Sequence, residues 1–317
     1  MSPRDYGPSA PKPYGFVEIE PLGSKDRQRP VGHERYQSGT VSGRLEATLI
    51  VATPLHVSSG RLRMRRGKEP PLVKELTRVN GQPCIPASTL KGVVRSVVEA
   101  ITRSCVRISQ ARADQLPAGA AACRDKENLC LACRMFGALG FEGHVRFDDA
   151  VLREGTLGIA RMPALYAPRG RTRAYFTGSE VKGRKFYLHG RPVTQATAPV
   201  EVLMPKSQLG FAVRFENLAQ GELGVLLVAL GLGTPGLVLK LGGGKPACYG
   251  SAFVRLDDSQ MWGCARDMYL SYDLAHTATH LDQYLENAQP LILQDQLREL
   301  ASVWQYNTSR ECPTGNY

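Results

Sequence analysis

Residues 123–150, CRDKENLCLACRMFGALGFEGHVRFDDA, join three closely spaced cysteines to a glycine-broken apolar turn and then to a basic strand. Cys123, Cys130 and Cys133 stand in the pattern C-x6-C-x2-C, and a C-x2-C pair on a tight loop can aim both thiolates at one tetrahedral zinc ion. Three ligands leave a fourth position, for which Cys105 is the first candidate, with Cys84 or His144 behind it. The alternative is a set of reduced, buried thiols that pack as small hydrophobes. The intervening RDKENL favours a structural zinc, because so polar a segment is not held in place by burial alone. Beyond the turn, HVRFDDAVL reads as a strand with Val145 and Phe147 on one face.

Upstream lies IPASTLKGVVRSVVEAIT, residues 85–102, whose apolar positions Leu90, Val93, Val94, Val97, Val98 and Ile101 repeat at helical spacing. Ser88 or Thr89 is the expected N-cap. Lys91 and Arg95, four residues apart, are expected to share one exposed face. A helix start with free amides, hydroxyls and two cations suits an anion, and a capped helix with a solvated basic face is the plainer reading. Before it, residues 60–80 are basic and irregular, with five arginines, and Pro70-Pro71 excludes a continuous helix. Earlier still, Leu45, Ala47, Leu49 and Val51 alternate with other residues as in a half-buried strand, which ends in a loop with His56 and two serines, Ser58 among them. Residues 1–38 are rich in Pro, Gly and charge, and read as an extended arm that needs a neighbour to order it.

Downstream, residues 161–200 interleave Arg169, Arg171, Arg173, Lys182, Arg184 and Lys185 with Tyr166, Tyr175, Phe176, Phe186 and Tyr187. That mixture suits backbone neutralisation and base stacking on single-stranded nucleic acid, or else an exposed hairpin with ordinary cross-strand aromatic pairs. Residues 200–218 are strand-like, and residues 221–233 are a short apolar helix. The uncharged run from Leu223 to Leu239 is long enough for a membrane span, but Gly231, Gly233, Pro235 and Gly236 break it, so it reads as buried helix, turn and strand. Then Gly242, Gly243 and Gly244 precede Lys245; such glycines permit close backbone approach to a phosphate. The spacing fits neither a Walker loop nor a dinucleotide fingerprint, which gives no support to ATP or NAD binding. Two helices are expected in the tail, over 276–287 and 291–306.

Of 317 residues, 43% are hydrophobic, enough for a sizeable core, and 40 Lys and Arg against 29 Asp and Glu give a net charge of +11, which favours a polyanionic partner. Eight cysteines, four of them clustered, behind an N-terminus with no apolar core argue against a disulfide framework and for a reducing cytoplasm. No membrane association is expected.

Taken together and in order, four blocks resemble the RAMP superfamily of CRISPR-associated proteins, in particular the repeated backbone subunit of type III-like effector complexes. They are TPLHVSSG (53–60), IPASTLKGVVRS (85–96), CRMFG with HVRFDDA (133–137 and 144–150), and LGGGKPACYGS (241–251); GRKFYLH (183–189) is similar to the zinc-containing, type III-D-like branch. The resemblance covers most of residues 40–255 and little outside them. It implies an α+β fold with a ferredoxin-like, RRM-type βαββαβ core, a thumb hairpin over 163–200 and a zinc-bound insertion over 105–137, all within a domain spanning 39–260; residues 261–317, which the resemblance hardly reaches, are read from their own pattern as a helical extension. It further implies copies stacked head to tail along a CRISPR RNA, target RNA paired between regular kinks, and other effector subunits as partners. His56, Ser58, Ser88, Lys91, Arg95, the thumb cations, Phe186, Tyr187 and Gly242 to Lys245 would then contact the guide.

In target-cleaving members, the resemblance places an aspartate in the loop after the first strand, yet residues 60–80 contain no Asp, and Glu69 lies roughly in its place. Glutamate can accept a proton, but its longer side chain alters the positioning on which catalysis depends. The expectation is a subunit that binds RNA without cutting it, a separate nuclease doing the cutting. Two other readings compete with it: an endoribonuclease using Glu69, with His56 as a weaker acid or base, and a monomeric zinc-stabilised nucleic-acid-binding protein. A zinc hydrolase fits less well, because its metal keeps an open position whereas a cysteine-rich site is closed.

Overall fold

The structure, a computed structural model, describes residues 12–107, 109–163, 165, 173–194, 196–262, 276–277 and 281–313. It is a mixed α+β protein built on an antiparallel sheet. In spatial order the sheet runs Leu239–Lys240, Ser251–Trp262, Val41–Val51, Gln208–Leu218, Ala150–Glu154, Gln82–Ile85 and Arg78–Val79, with Val145–Phe147 also on Gln208–Leu218 and His276–Thr277 on Ser251–Trp262. Val41–Val51 is the central strand. Leu45, Ala47, Leu49 and Val51, the residues of the expected alternation, are buried on its inner face, and Leu49 lies opposite Leu209 on one side and Val254 on the other. A second sheet orders Leu157–Met162, Ala198–Leu203, Leu72–Leu76 and Ser58–Met64. The basic segment 60–80 is therefore largely a hairpin and not an irregular loop, its arms joined in the register Met64 to Leu72.

Helix α1, Ala87–Ile101, buries Leu90, Val94, Val97, Val98 and Ile101. Pro86 precedes it and neither Ser88 nor Thr89 caps it; the amide of Ala87 donates instead to Asp149 Oδ1 at 2.7 Å. The expected hydroxyl cap is thus replaced by a carboxylate from the strand region after the cysteine cluster, which also places a negative charge where an anion was expected. Asp149→Ala is expected to lower stability by about 1 kcal/mol, read as a shifted midpoint in urea with an unchanged m value; a Ser88→Ala variant of equal cost would contradict this.

Short helix α2, Leu131–Phe136, carries Cys133, and α3, Gln220–Ala229, is apolar on every side beyond its first turn and packs between α1 and the tail helix α4, Asp282–Ala288. At Gly224 a side chain would stand 1.8 Å from the Tyr284 carbonyl, so the two helices approach backbone to backbone. The last helix, α5, spans Gln294–Val303. The expected helix over 276–287 is shorter than its pattern, because His276–Thr277 pairs with Ser251–Trp262. Among the described residues no helix is long and apolar enough to cross a membrane.

The described part of the N-terminal arm has its neighbour within the same chain. Tyr14–Val17 pairs antiparallel with Arg184–Tyr187, and Val17, Ile19 and Leu22 are buried in the core.

Candidate nucleic-acid interface and metal centre

Three of the four sequence blocks, those within residues 53–60, 85–96 and 241–251, meet along the outer face of α1 together with residues 185–187. A groove of about 500 Å³ runs between Ser58, the Ser88–Ser96 face of α1, residues 185–187 and the glycine loop 241–245. It shares Gly92, Ser96, Lys185 and Phe186 with a second hollow of about 510 Å³ that continues toward Arg107 and Glu99. Gly92 leaves the floor open, since a side chain there would meet nothing within 4 Å. The glycine loop forms one wall. Gly242 has φ +71, and a Cβ on it would lie 2.2 Å from the His56 carbonyl, to which the Gly243 amide donates at 2.8 Å. Only glycine satisfies both the left-handed backbone and that approach.

Of the expected RNA contacts, Ser58, Ser88, Lys185, Phe186, Tyr187, Gly242, Gly243 and Lys245 line this groove. Others are placed differently. His56 is buried beneath the glycine loop, with Nδ1 at 2.6 Å from the Glu201 carbonyl. Gly244 is buried against Met162. Lys91 is half-buried, and burial together with the nearby Arg95 lowers its pKa. Arg95 is not on an exposed face: it is 8% exposed, its Nε donates to Glu99 Oε1 at 2.6 Å and its Nη1 to the Gly137 carbonyl at 2.7 Å. At α1's spacing, a residue four after Lys91 turns toward the core on the insertion side, and Glu99 neutralises it there. Arg184 is likewise ion-paired with Glu99, and Lys182 is exposed. Arg173 begins a 3-10 turn, while Arg169 and Arg171 lie outside the described residues.

The aromatic residues divide into two roles. Phe186 is buried edge-on against Trp304, with ring centres 5.3 Å apart. Lys185 Nζ lies 4.9 Å from the Tyr14 and Tyr187 rings and 5.0 Å from that of Tyr175, a cation within reach of three π faces. Burial and the neighbouring Tyr175 push the Tyr14 phenol up to about 12.

Below the groove sits a chain of polar groups, His189, Ser251 and Lys240, drawn together from separate segments of the chain. His189 Nε2 donates to the Val238 carbonyl at 3.0 Å, so its Nδ1 is left to accept from Ser251 Oγ at 2.8 Å, and Lys240 Nζ donates to Ser251 Oγ at 3.3 Å. Burial and the charge of Lys240 lower His189 to about 3, and burial, with Lys245 adding in the same direction, lowers Lys240 to about 7. The one signal in the sequence is that Lys240 ends an otherwise uncharged run. Because Lys240 lines the groove, a bound phosphate raises its pKa and binding above neutrality takes up a proton. RNA affinity is expected to be flat below about pH 7 and to fall by up to tenfold per pH unit above it. Lys240→Met should flatten that slope, and identical pH profiles for the two proteins would refute the assignment.

Cys105, Cys123, Cys130 and Cys133 form one cluster whose sulfurs lie within 4.8 Å of one another. The pairs Cys105–Cys133 and Cys105–Cys130 are 3.5 and 3.6 Å apart, close to the ~3.8 Å edge of a tetrahedron with metal–sulfur bonds of about 2.3 Å. The four cysteines can therefore hold a metal ion. Cys105 supplies the fourth position; Cys84 is buried on Gln82–Ile85, and His144 belongs to a separate group with His33 and Glu216. The Cys105 amide donates to Cys130 Sγ at 3.4 Å and Arg95 Nη2 to Cys133 Sγ at 3.3 Å, the outer contacts that thiolates require. Hydrogen bonds from Cys105 hold the Cys123 thiol well below its ordinary range. In addition, Cys248 and Cys312 form a disulfide that ties the glycine loop to the tail, a pairing absent from the expected reduced set.

No curated protein matches the chain. The model of the RAMP superfamily matches residues 48–254. That span opens within the central strand, takes in α1, the cysteine cluster, residues 183–189 and the glycine loop, and closes in the strand that follows the loop. Apart from Trp304, the residues that line the groove fall within that span, and the chain belongs to the RAMP superfamily.

Proposed function

We propose that this chain is a backbone subunit of a type III-like CRISPR effector ribonucleoprotein. It binds and kinks CRISPR RNA along the α1 groove, presents the guide for pairing with target RNA, and stacks head to tail with further copies of itself beside other effector subunits, in the cytoplasm. The observation that carries this reading is the convergence of Ser88, Lys185, Tyr187, Gly242 and Lys245 on one groove, where hydroxyls, backbone amides, cations and a ring suit a phosphate chain with sequence-tolerant stacking. A ferredoxin-like core is part of the proposal. Its support is the spatial order of the strand after α3, the central strand, the strand before α3 and the strand after α1, which is the order of that βαββαβ unit. The metal of the cysteine cluster is proposed to be zinc, structural and closed, as four thiolates at tetrahedral spacing favour, in keeping with a type III-D-like branch.

The subunit is proposed not to cut RNA. Glu69 is exposed near the tip of the Ser58–Met64 and Leu72–Leu76 hairpin, where Arg65 Nη1 donates to its backbone carbonyl at 3.2 Å. An exposed carboxylate on a hairpin tip lacks the positioning that catalysis needs. Cleavage is assigned to a separate nuclease.

The test is native mass spectrometry with and without CRISPR RNA, followed by addition of complementary RNA. Several copies per guide and intact target are expected; a single copy per guide, or cuts at regular spacing lost in Glu69→Ala, would overturn the proposal. Lys185→Ala with Lys245→Ala should weaken binding across unrelated sequences and shallow the salt dependence by about one unit for each phosphate that is no longer neutralised. An unchanged salt slope would move the interface away from the groove.

A further inference from the structure

Away from the cysteine cluster, His33, His144 and Glu216 place one ligand atom each within 4.8 Å of the others. Their hydrogen bonds fix which atoms are available. His144 Nε2 lies 3.0 Å from the Val31 carbonyl; a carbonyl only accepts, so Nε2 carries the proton and Nδ1 keeps its lone pair. His144 is 3% exposed, and its Nδ1 is buried with no partner. His33 Nε2 lies 2.8 Å from the Glu142 carbonyl and by the same argument is protonated, which leaves the His33 Nδ1 lone pair against Glu216 Oε1. Two imidazole lone pairs and a carboxylate oxygen thus face one another, and all three are acceptors. A proton on His33 satisfies the Glu216 contact but leaves His144 Nδ1 orphaned in the interior, at a cost a buried polar atom does not ordinarily bear. A divalent cation satisfies all three.

We infer that His33, His144 and Glu216 form a second metal site, for a first-row divalent ion of the zinc class, which fastens the N-terminal segment to the sheet. Two imidazoles and one carboxylate are borderline ligands that suit such an ion better than Ca2+ or Mg2+. The second shell is in place. Val31 and Glu142 fix the two imidazole tautomers, and Arg146 Nη1 lies 3.3 Å from Glu216 Oε2, with Nη2 3.4 Å from Oε1, orienting the carboxylate. Tetrahedral bonds of about 2.1 Å put ligand atoms about 3.4 Å apart, so an entering ion parts His33 Nδ1 from Glu216 Oε1, which touch each other without it, chiefly through rotation of the partly exposed His33. Three protein ligands leave a fourth position for water. Val31 and His33 belong to the arm, whereas His144 and Glu216 border and belong to strands of the main sheet, so the ion joins the two.

The experiment is Co2+ titration of the chelator-treated full-length protein, with limited trypsin digestion after Arg35 as a second readout. Thiolate ligands give intense charge-transfer bands and a nitrogen and oxygen site does not, so the two sites are read separately. Wild type should bind one equivalent with charge transfer and one without, and Co2+ should slow cleavage of the arm. His33→Ala, at a partly exposed position, should lose only the equivalent without charge transfer, together with the protection; His144→Gln should do the same. Absence of that equivalent in wild type, its retention in both variants, or equal protection in His33→Ala would show that a proton and not a metal links His33 to Glu216.

Discussion

Replacing Cys130 with serine is expected to abolish the metal binding proposed for the cysteine cluster and to lower the thermal midpoint by about 10 °C, a loss of about 3 kcal/mol or more for a domain of this size. The effect is large because the segment around the cluster has little else to hold it. Residues 124–128 are exposed or half-buried, and α2 is too short to persist without tertiary support. The loss is smaller than that of an isolated zinc finger because Leu129, Leu131, Met135 and Phe136 still reach the core. Cys84→Ser gives the internal comparison, since Cys84 is as buried as Cys130 but stands outside the cluster. If these cysteines were only small hydrophobes, both substitutions would cost a similar, modest amount and a chelator would change neither. With a bound metal, Cys130→Ser alone abolishes the chelator-sensitive part of the melting temperature. Equal midpoints for wild type with and without chelator, in protein that contains the metal, would rule the clamp out.

Features that depend on local spacing were legible in the sequence: the alternation of Leu45 to Val51, the helical repeat from Leu90 to Ile101, and the cysteine spacing all correspond to what the structure holds. Cys105 was the leading candidate for the fourth sulfur and lies in the cluster. What spacing could not reveal was which partner a polar side chain meets across the fold. Arg95 repeats with Lys91 as a surface pair would, yet Glu99 and the Gly137 carbonyl draw it inward. Ser88 is a good cap by type, yet Asp149 holds the first amide of α1. Phe186 looks like a stacking ring, yet Trp304 covers it. His33 and Glu216 are far apart in the chain, and nothing in their local context announces a shared site. In most of these cases the decisive partner is remote in the chain.

These long-range contacts also explain how the cysteine cluster and the groove are connected. Glu99, 5% exposed, receives Arg95 on Oε1 and Arg184 on Oε2. Arg95 continues to Cys133 Sγ and the Gly137 carbonyl, while Arg184 begins the strand that pairs with Tyr14–Val17 and carries Lys185 into the groove. One buried carboxylate therefore ties α1, the cysteine cluster and the aromatic wall together. Two guanidinium groups share it, which leaves one positive charge beside Cys133 that a metal-bound thiolate would offset.

Glu99→Ala should consequently be among the most damaging single substitutions outside the cysteines, at about 3–5 kcal/mol, because it strands the buried Arg95 and the half-buried Arg184. RNA affinity should fall in the protein that remains folded, since Arg184 no longer anchors the strand that presents Lys185. Glu99→Gln keeps an acceptor for one guanidinium and should cost less. The cause can be isolated by replacing the whole triad with apolar residues, Glu99→Leu with Arg95→Met and Arg184→Met. If orphaned charge is the source of the damage, this triple variant regains most of the stability that Glu99→Ala removes, though not the hydrogen bond to Cys133. Chemical denaturation of the three proteins decides the matter. A Glu99→Ala variant as stable as wild type, or a triple variant no better than the single one, would mean that packing around α1, and not charge balance, holds the insertion against the groove.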